Sequence, residues 1–148
     1  MIHQMHSVLS ANSFQPIITI KKESKKMTKM LLSINPEHVE NIVNGNKKYE
    51  YRKVRCRSSV NKIIIYVTSP VMKVIGEVDI LDVIEDTPIM VWNMTSEQSG
   101  ISKEFYYHYF GNKNHAVAYK LGKVVKYDKP LFLSDFGVNT APQSFVYV

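Results

Sequence analysis

The sequence contains a single cysteine, Cys56, in 148 residues. One thiol cannot form an intrachain disulfide, and no Cys/His set has zinc-ligand spacing, so no metal site is expected. So little cysteine fits a reducing, cytoplasmic compartment. No apolar run approaches the ~18 residues of a transmembrane helix, so no membrane partner is expected. The N-terminus lacks the basic n-region and continuous apolar core of a secretory signal. Repeats and low-complexity tracts are also absent. Acidic residues are the scarcer charge, with 13 Asp and Glu against 19 Lys and Arg, a net charge of +6. What is present is ordinary for a folded protein: 45% hydrophobic and 22% charged residues. That composition does not suggest disorder, and the length suits one domain with one core.

The positive charge is local. Lys47, Lys48, Arg52, Lys53, Arg55, Arg57 and Lys62 fall within sixteen residues, against one acid, Glu50. The remainder of residues 28–148 is mildly acidic. Such a patch suits a phosphate-bearing partner, either a nucleic acid or a nucleotide. A solvated edge that resists aggregation uses Lys in the same way. Cys56 lies between Arg55 and Arg57. With no base placed for it, it reads as an incidental thiol.

Residues 1–27 are expected to form a flexible extension with a short strand at 15–20. Its His3 and His6 are too isolated to argue for metal. The domain is expected to span 28–148. Met30–Ile34 reads as a strand. Asn35-Pro36 starts a helix, with Asn as N-cap and Pro in the first turn. Asn44-Gly45 stops it, since Gly takes the left-handed position after a helix without steric cost. Residues 48–52 alternate, with Tyr49 and Tyr51 on an inner face and Lys48, Glu50 and Arg52 on the other. Lys62–Thr68 and Lys73–Val83 read as strands, with a bulge or bend at Gly76. Thr87-Pro88 starts a short helical turn holding Trp92. Ser102 caps a helix through Phe110, whose Phe105, Tyr106, Tyr109 and Phe110 read as one core-facing stripe. Strands follow at 115–121, continuing over 123–127, and at 144–148, with a short apolar piece at 131–133. The expected class is α+β: a small mixed or antiparallel barrel with two or three short flanking helices.

The stretch Gly45-x-Lys47-x-x-Glu50-x-Arg52 resembles the G-x-K-x-x-E-x-R signature of the ASCH domain, the activating signal cointegrator homology domain. That family belongs to the PUA-like superfamily of small β-barrels. The strand ending at Tyr66–Pro70, the Gly-containing strand at 74–80 and the closing Pro142-Gln143-Ser144-Phe145 occur in the same order as in its short prokaryotic and phage members. The resemblance implies a cleft beside the helix–strand junction, with Lys47, Glu50 and Arg52 facing an RNA or nucleotide-like ligand. Thr68 and Ser69, at the end of the central strand, are candidates to line it. Lys53, Arg55, Arg57 and Lys62 are candidates for phosphate contacts. Tyr66, Trp92 and Phe145 suit base stacking, although the core is the commoner place for each.

Some members of the family are enzymes. One group hydrolyses N4-acetylcytidine with a Lys, a Thr and a Glu, and others are linked to ribonuclease activity. Here Lys47 matches the Lys, but Glu50 stands where the amidohydrolases have Thr. Glu97 and Glu104 are the nearby carboxylates for the second acid. If the chain is an enzyme, Lys47 and Glu50 are its catalytic candidates. Non-covalent binding of a base or a single strand by a monomer is the leading expectation. An enzyme on modified nucleosides or RNA comes second, and a protein-interaction module third. No cofactor is expected.

Overall fold

Two fully apolar runs set the centre of the sheet. Met30–Leu32 and Ile63–Ile65 are buried on both faces, as a central parallel pair requires. They belong to β1 (Lys29–Ile34) and β3 (Lys62–Val67), which pair in parallel from Lys29/Lys62 to Ile34/Val67. The connection between them carries α1 (Pro36–Val43) and β2 (Tyr49–Arg52). β4 (Lys73–Asp86) and β5 (Ala116–Leu131) form a long antiparallel pair, and α2 (Pro88–Thr95) and α3 (Lys103–Phe110) lie between them in sequence. β6 (Phe145–Tyr147) pairs antiparallel with β1. The strand order is β2-β5-β4-β3-β1-β6. These features come from a computed structural model that describes residues 28–148. The expected extension 1–27 and the strand at 15–20 lie outside the described residues.

The sheet curls into a half-barrel because its two longest strands bend. Register shifts interrupt β4 against β5 at Val74/Gly76, Val78/Ile80 and Ile80/Asp82. At Gly76 a Cβ would lie 2.4 Å from the Val125 carbonyl oxygen, so the close approach demands glycine. The concave face holds the main core, including Leu32, Ile34, Ile63, Ile65, Val117 and Tyr119. A second core seats α2 and α3 against the outer side of β2 and β5, through Tyr49, Tyr51, Val91, Tyr106 and Phe110. A third packs the C-terminal segment on Leu31, Ile64, Tyr66 and Val74.

Several expectations change in detail. β4 runs on to Asp86. β5 continues through Gly122 to Leu131, so the pieces at 115–121 and 123–127 are one strand. The apolar piece at 131–133 is divided between the end of β5 and a 3-10 turn over Leu133–Phe136. The starts of α2 and α3 are capped by side chains, Thr87 Oγ1 accepting from Met90 N and Ser102 Oγ from Phe105 N, whereas Asn35 occupies the N-cap position of α1 without a side-chain capping bond. The aromatic stripe of α3 divides. Tyr106 and Phe110 are fully buried, while Phe105 is 43% exposed. Adjacent helical positions are about 100° apart, so the 106/110 and 105/109 pairs face different directions. No described helix is long and apolar enough to cross a membrane.

Candidate functional site

The site begins where α1 stops. Gly45 has φ +89°, which lets the chain turn sharply after Asn44. Lys47 N then donates to Asn41 O at 2.9 Å, and Lys48 N to Gln98 O at 2.9 Å. Residues 98–100 therefore lie directly on Lys47. Gly100, at φ +70°, leaves no room for a side chain: a Cβ would stand 2.4 Å from Lys47 Cβ. Under this cover Lys47 is 2% exposed. Its Nζ donates to Ser99 O at 3.1 Å and lies 4.9 Å from the Tyr51 ring centroid.

β2 supplies the partner charges. The expected alternation holds, with Lys48 exposed at its start while Glu50 and Arg52 turn inward. Tyr49 and Tyr51 face the helices, while Glu50 and Arg52 sit opposite Tyr119 and Val117, residues of the concave core. Glu50 is 5% exposed, contrary to a solvent-facing polar side. Glu50 Oε2 accepts from Arg52 Nε at 3.1 Å and Nη2 at 2.8 Å. Nη2 also donates to Ser33 O at 2.8 Å, tying β2 to β1 across the open side of the half-barrel. Glu50 Oε1 stands 3.8 Å from Lys47 Nζ and makes no hydrogen bond among the described residues.

Burial shapes the titration of this group. Lys47 is pushed below the usual lysine value by desolvation. Glu50 opposes that shift and Arg52 adds to it. His38 is lowered by burial and then by Lys47. Tyr51 is raised to about 12 by burial, so its phenol keeps its proton. Its hydroxyl lies 2.7 Å from Thr95 Oγ1, which itself donates to Val91 O, so Tyr51 is the donor of that pair.

Lys47, Glu50 and Arg52 line a cleft of about 340 Å³. His38 of α1 and Phe105 and Tyr109 of α3 wall it; Thr68 and residues 141–143 border it. The His38 and Phe105 rings meet edge to face at 5.1 Å. His38 Nδ1 is buried without a hydrogen-bond partner among the described residues. The sequence reading missed His38, Phe105 and Tyr109 as cleft residues. The i, i+4 spacing of Phe105 and Tyr109, offset by one from Tyr106 and Phe110, was the available signal.

The other expected site residues divide. Thr68 lines the cleft and its hydroxyl donates to Asn35 Oδ1 at 3.2 Å; Ser69 is outside the lining. Lys53 lies 4.6 Å over the Tyr109 ring, beside the cleft. Arg57 lies 4.0 Å over the Tyr147 ring. Arg55 pairs with Glu85 at 2.5 Å, and Lys62 with Asp79 at 2.6 Å and Glu77 at 3.5 Å. Tyr66 is in the core at 3% exposure. Trp92 packs on Tyr106 at 4.6 Å, and Phe145 packs against the main core. Cys56 is 4% exposed, an interior thiol. Glu97 and Glu104 are exposed and outside the cleft lining. Among the described residues no group of three or more His, Cys, Asp and Glu is placed to hold a metal ion.

A curled mixed sheet with three described helices and a polar cleft at the α1–β2 junction defines an α+β domain of the PUA-like kind. The ASCH domain model matches residues 32–125, and the chain belongs to the ASCH family. The chain is similar to the crystal structure of ASCH from Zymomonas mobilis, with TM-score 0.72 and 25% identity over 83% of this chain and 89% of that one. A mutant of that protein superposes with TM-score 0.74 at 24% identity, over 82% and 89% of the two chains. Among curated proteins, 127 residues, or 85% of the chain, are 35% identical to part of ATP synthase subunit alpha of Ureaplasma parvum serovar 3. A further 30% identity over 129 residues, or 86% of the chain, links it to large ribosomal subunit protein uL22 of the same organism. The matches span 16% and 42% of those two proteins, so the chain covers less than half of either relative.

Proposed function

We propose that the cleft binds the base of a nucleotide or of a single-stranded RNA segment. The observation that carries this is the buried Lys47–Glu50–Arg52 group on the floor of a cleft with aromatic walls. Burying three charged side chains is costly, and a polar ligand recoups part of that cost by hydrogen bonding. The roughly 340 Å³ volume falls at the small end of ligand pockets. Lys47 and Arg52 offer donors, and the Glu50 Oε1 acceptor suits an exocyclic amine or a ribose hydroxyl. Phe105 and Tyr109 offer ring faces for stacking. Thr68 adds a hydroxyl at the border. Lys53, beside the cleft, follows the phosphates, and Arg55, Arg57 and Lys62 contribute by exchanging their present partners. The domain acts as a cytoplasmic monomer.

The test is equilibrium binding of mononucleotides and short RNAs to the full chain at low salt. Micromolar or tighter binding that is lost in Glu50→Gln and Arg52→Ala is the expected result. No measurable affinity for any of these ligands overturns the proposal.

One observation supports a second reading. Burial lowers the Lys47 pKa beside a carboxylate, the condition under which a lysine moves protons. In that reading Lys47 and Glu50 act on a modified nucleoside or on RNA. A turnover screen with Lys47→Met as control separates the two: product from the native chain but not the variant selects the enzyme.

A further inference from the structure

The cleft is not isolated. A second cleft, of about 580 Å³, lies on the other side of the His38–Phe105 ring pair. The two share His38, Ile101 and Phe105 as a common wall. Phe105 is 43% exposed, although it sits one position from the fully buried Tyr106. A large apolar ring held on a dividing wall presents surface to both sides. The wall also holds His38 Nδ1, which has no hydrogen-bond partner among the described residues.

The chemistry of the two clefts differs. The first is floored by Lys47, Glu50 and Arg52. The second is lined by Glu37 and Glu97 with Asn46, Ser96 and Ser102, and among the described residues by no lysine or arginine. Carboxylates without cations repel a phosphate, but they accept hydrogen bonds from base amines and ribose hydroxyls. The second cleft therefore suits a base or a sugar rather than a phosphate.

Resting on the proposed function, we propose that the ligand spans both clefts: two linked nucleotides of a single strand, one base in each, straddling the Phe105 ring. The second cleft is then a subsite for the neighbouring nucleotide. Its polar lining selects that nucleotide through its base and ribose, while the aromatic wall supplies stacking that tolerates any base.

The experiment compares mononucleotides with the complete set of RNA dinucleotides by calorimetry or competition, using the full chain. The expected result is that the preferred dinucleotide binds about tenfold or more tighter than either of its mononucleotides, the gain of one further stacked base. Asn46→Trp places a large side chain at an exposed position of the second cleft alone. It is expected to reduce the dinucleotide to the mononucleotide affinity while leaving mononucleotide binding unchanged. Glu97→Trp, also exposed and outside the first cleft, repeats the test should the first variant fold poorly. Mononucleotides that bind as tightly as dinucleotides overturn the two-subsite proposal and leave the proposed function standing. Dinucleotide binding that both plugging variants leave intact also overturns it. Binding of neither ligand overturns both.

Discussion

Replacing Glu50 by Gln keeps the size of the side chain and removes its charge. The charge sits 5% exposed, 2.8 Å from Arg52 Nη2 and 3.8 Å from Lys47 Nζ. At an effective dielectric of about 20, the Lys47 attraction alone is about 4 kcal/mol before desolvation is counted. Breaking a buried pair by removing one partner costs about 3–5 kcal/mol. The amide still accepts from Arg52, so Glu50→Gln is placed at the low end, about 3 kcal/mol. With a urea m-value of about 2 kcal/mol/M for a domain of this size, the midpoint falls by about 1.5 M. The assay is urea unfolding followed by the fluorescence of Trp92, the sole tryptophan, which packs on Tyr106.

The pH dependence supplies the stricter part of this test. Lys47 has a folded pKa below its unfolded 10.5. Between those values the unfolded chain holds more protons, so stability rises with pH until the unfolded value is reached. Glu50 acts against the shift in the native protein. Without its charge the folded pKa drops further and the window opens at lower pH. The stability gap between native protein and Glu50→Gln is therefore expected to narrow from pH 7 to pH 9.5. Lys47→Met combined with Glu50→Gln is expected to lose that pH dependence and to recover part of the stability. A gap under 1 kcal/mol at pH 7, or one constant across this range, refutes the buried charge pairing.

Gly100→Ala is expected to cost at least 1–3 kcal/mol, because it combines a left-handed backbone with contact against Lys47; a midpoint within error of the native protein would count against the close cover. Gly76→Ala meets the Val125 carbonyl at 2.4 Å and is expected to destabilise similarly while leaving ligand affinity per folded molecule unchanged, as calorimetry would show. His38 has a folded pKa below 6.5, so stability is expected to fall as pH drops from 6.5 toward the folded value; His38→Gln removes that component of the unfolding profile. Arg55→Ala breaks an exposed pair with Glu85 and is expected to cost under about 1 kcal/mol in the same assay.

Which parts of this were legible in the sequence follows the physics of each element. The β1 and β3 runs were read correctly because a strand buried on both faces must be apolar throughout. The α1 stop was legible because only glycine takes that turn cheaply. The signature Lys47, Glu50 and Arg52 was legible by resemblance and by its position after the stop. Its burial was not. An alternating strand tells which residues share a face, but the second face of β2 turns into the concavity of the sheet, and that curl depends on bulges in β4 and β5 far along the chain. Ser99 and Gly100 were missed for the same reason: nothing local marks residues 98–100 as the cover of Lys47. Phe105 and Tyr109 were assigned to the core because a hydrophobic stripe has no label for cavity or interior.

The same long-range pairing changes what the basic stretch can do. Its charges look additive in sequence, and a stretch of six net positive charges would bind a phosphate chain with steep salt dependence. In the fold, Lys47 and Arg52 share Glu50, Arg55 is held by Glu85, and Lys62 is held by Asp79 and Glu77. Lys53 and Arg57 lie over the rings of Tyr109 and Tyr147. Acids contributed by distant strands thus cancel much of the local field, and under the proposed function the affinity for RNA comes mainly from the cleft. Each phosphate neutralised contributes a slope of about −0.7 to log K against log salt for a single strand. One or two phosphate contacts beside the cleft, with Lys53 among them, give an expected slope of about −0.7 to −1.4, against about −4 if the six positive charges acted independently. A salt titration of a short RNA on the full chain measures this directly. A slope steeper than about −3 would show that the ion pairs open on binding and that the charged surface, rather than the cleft, sets affinity.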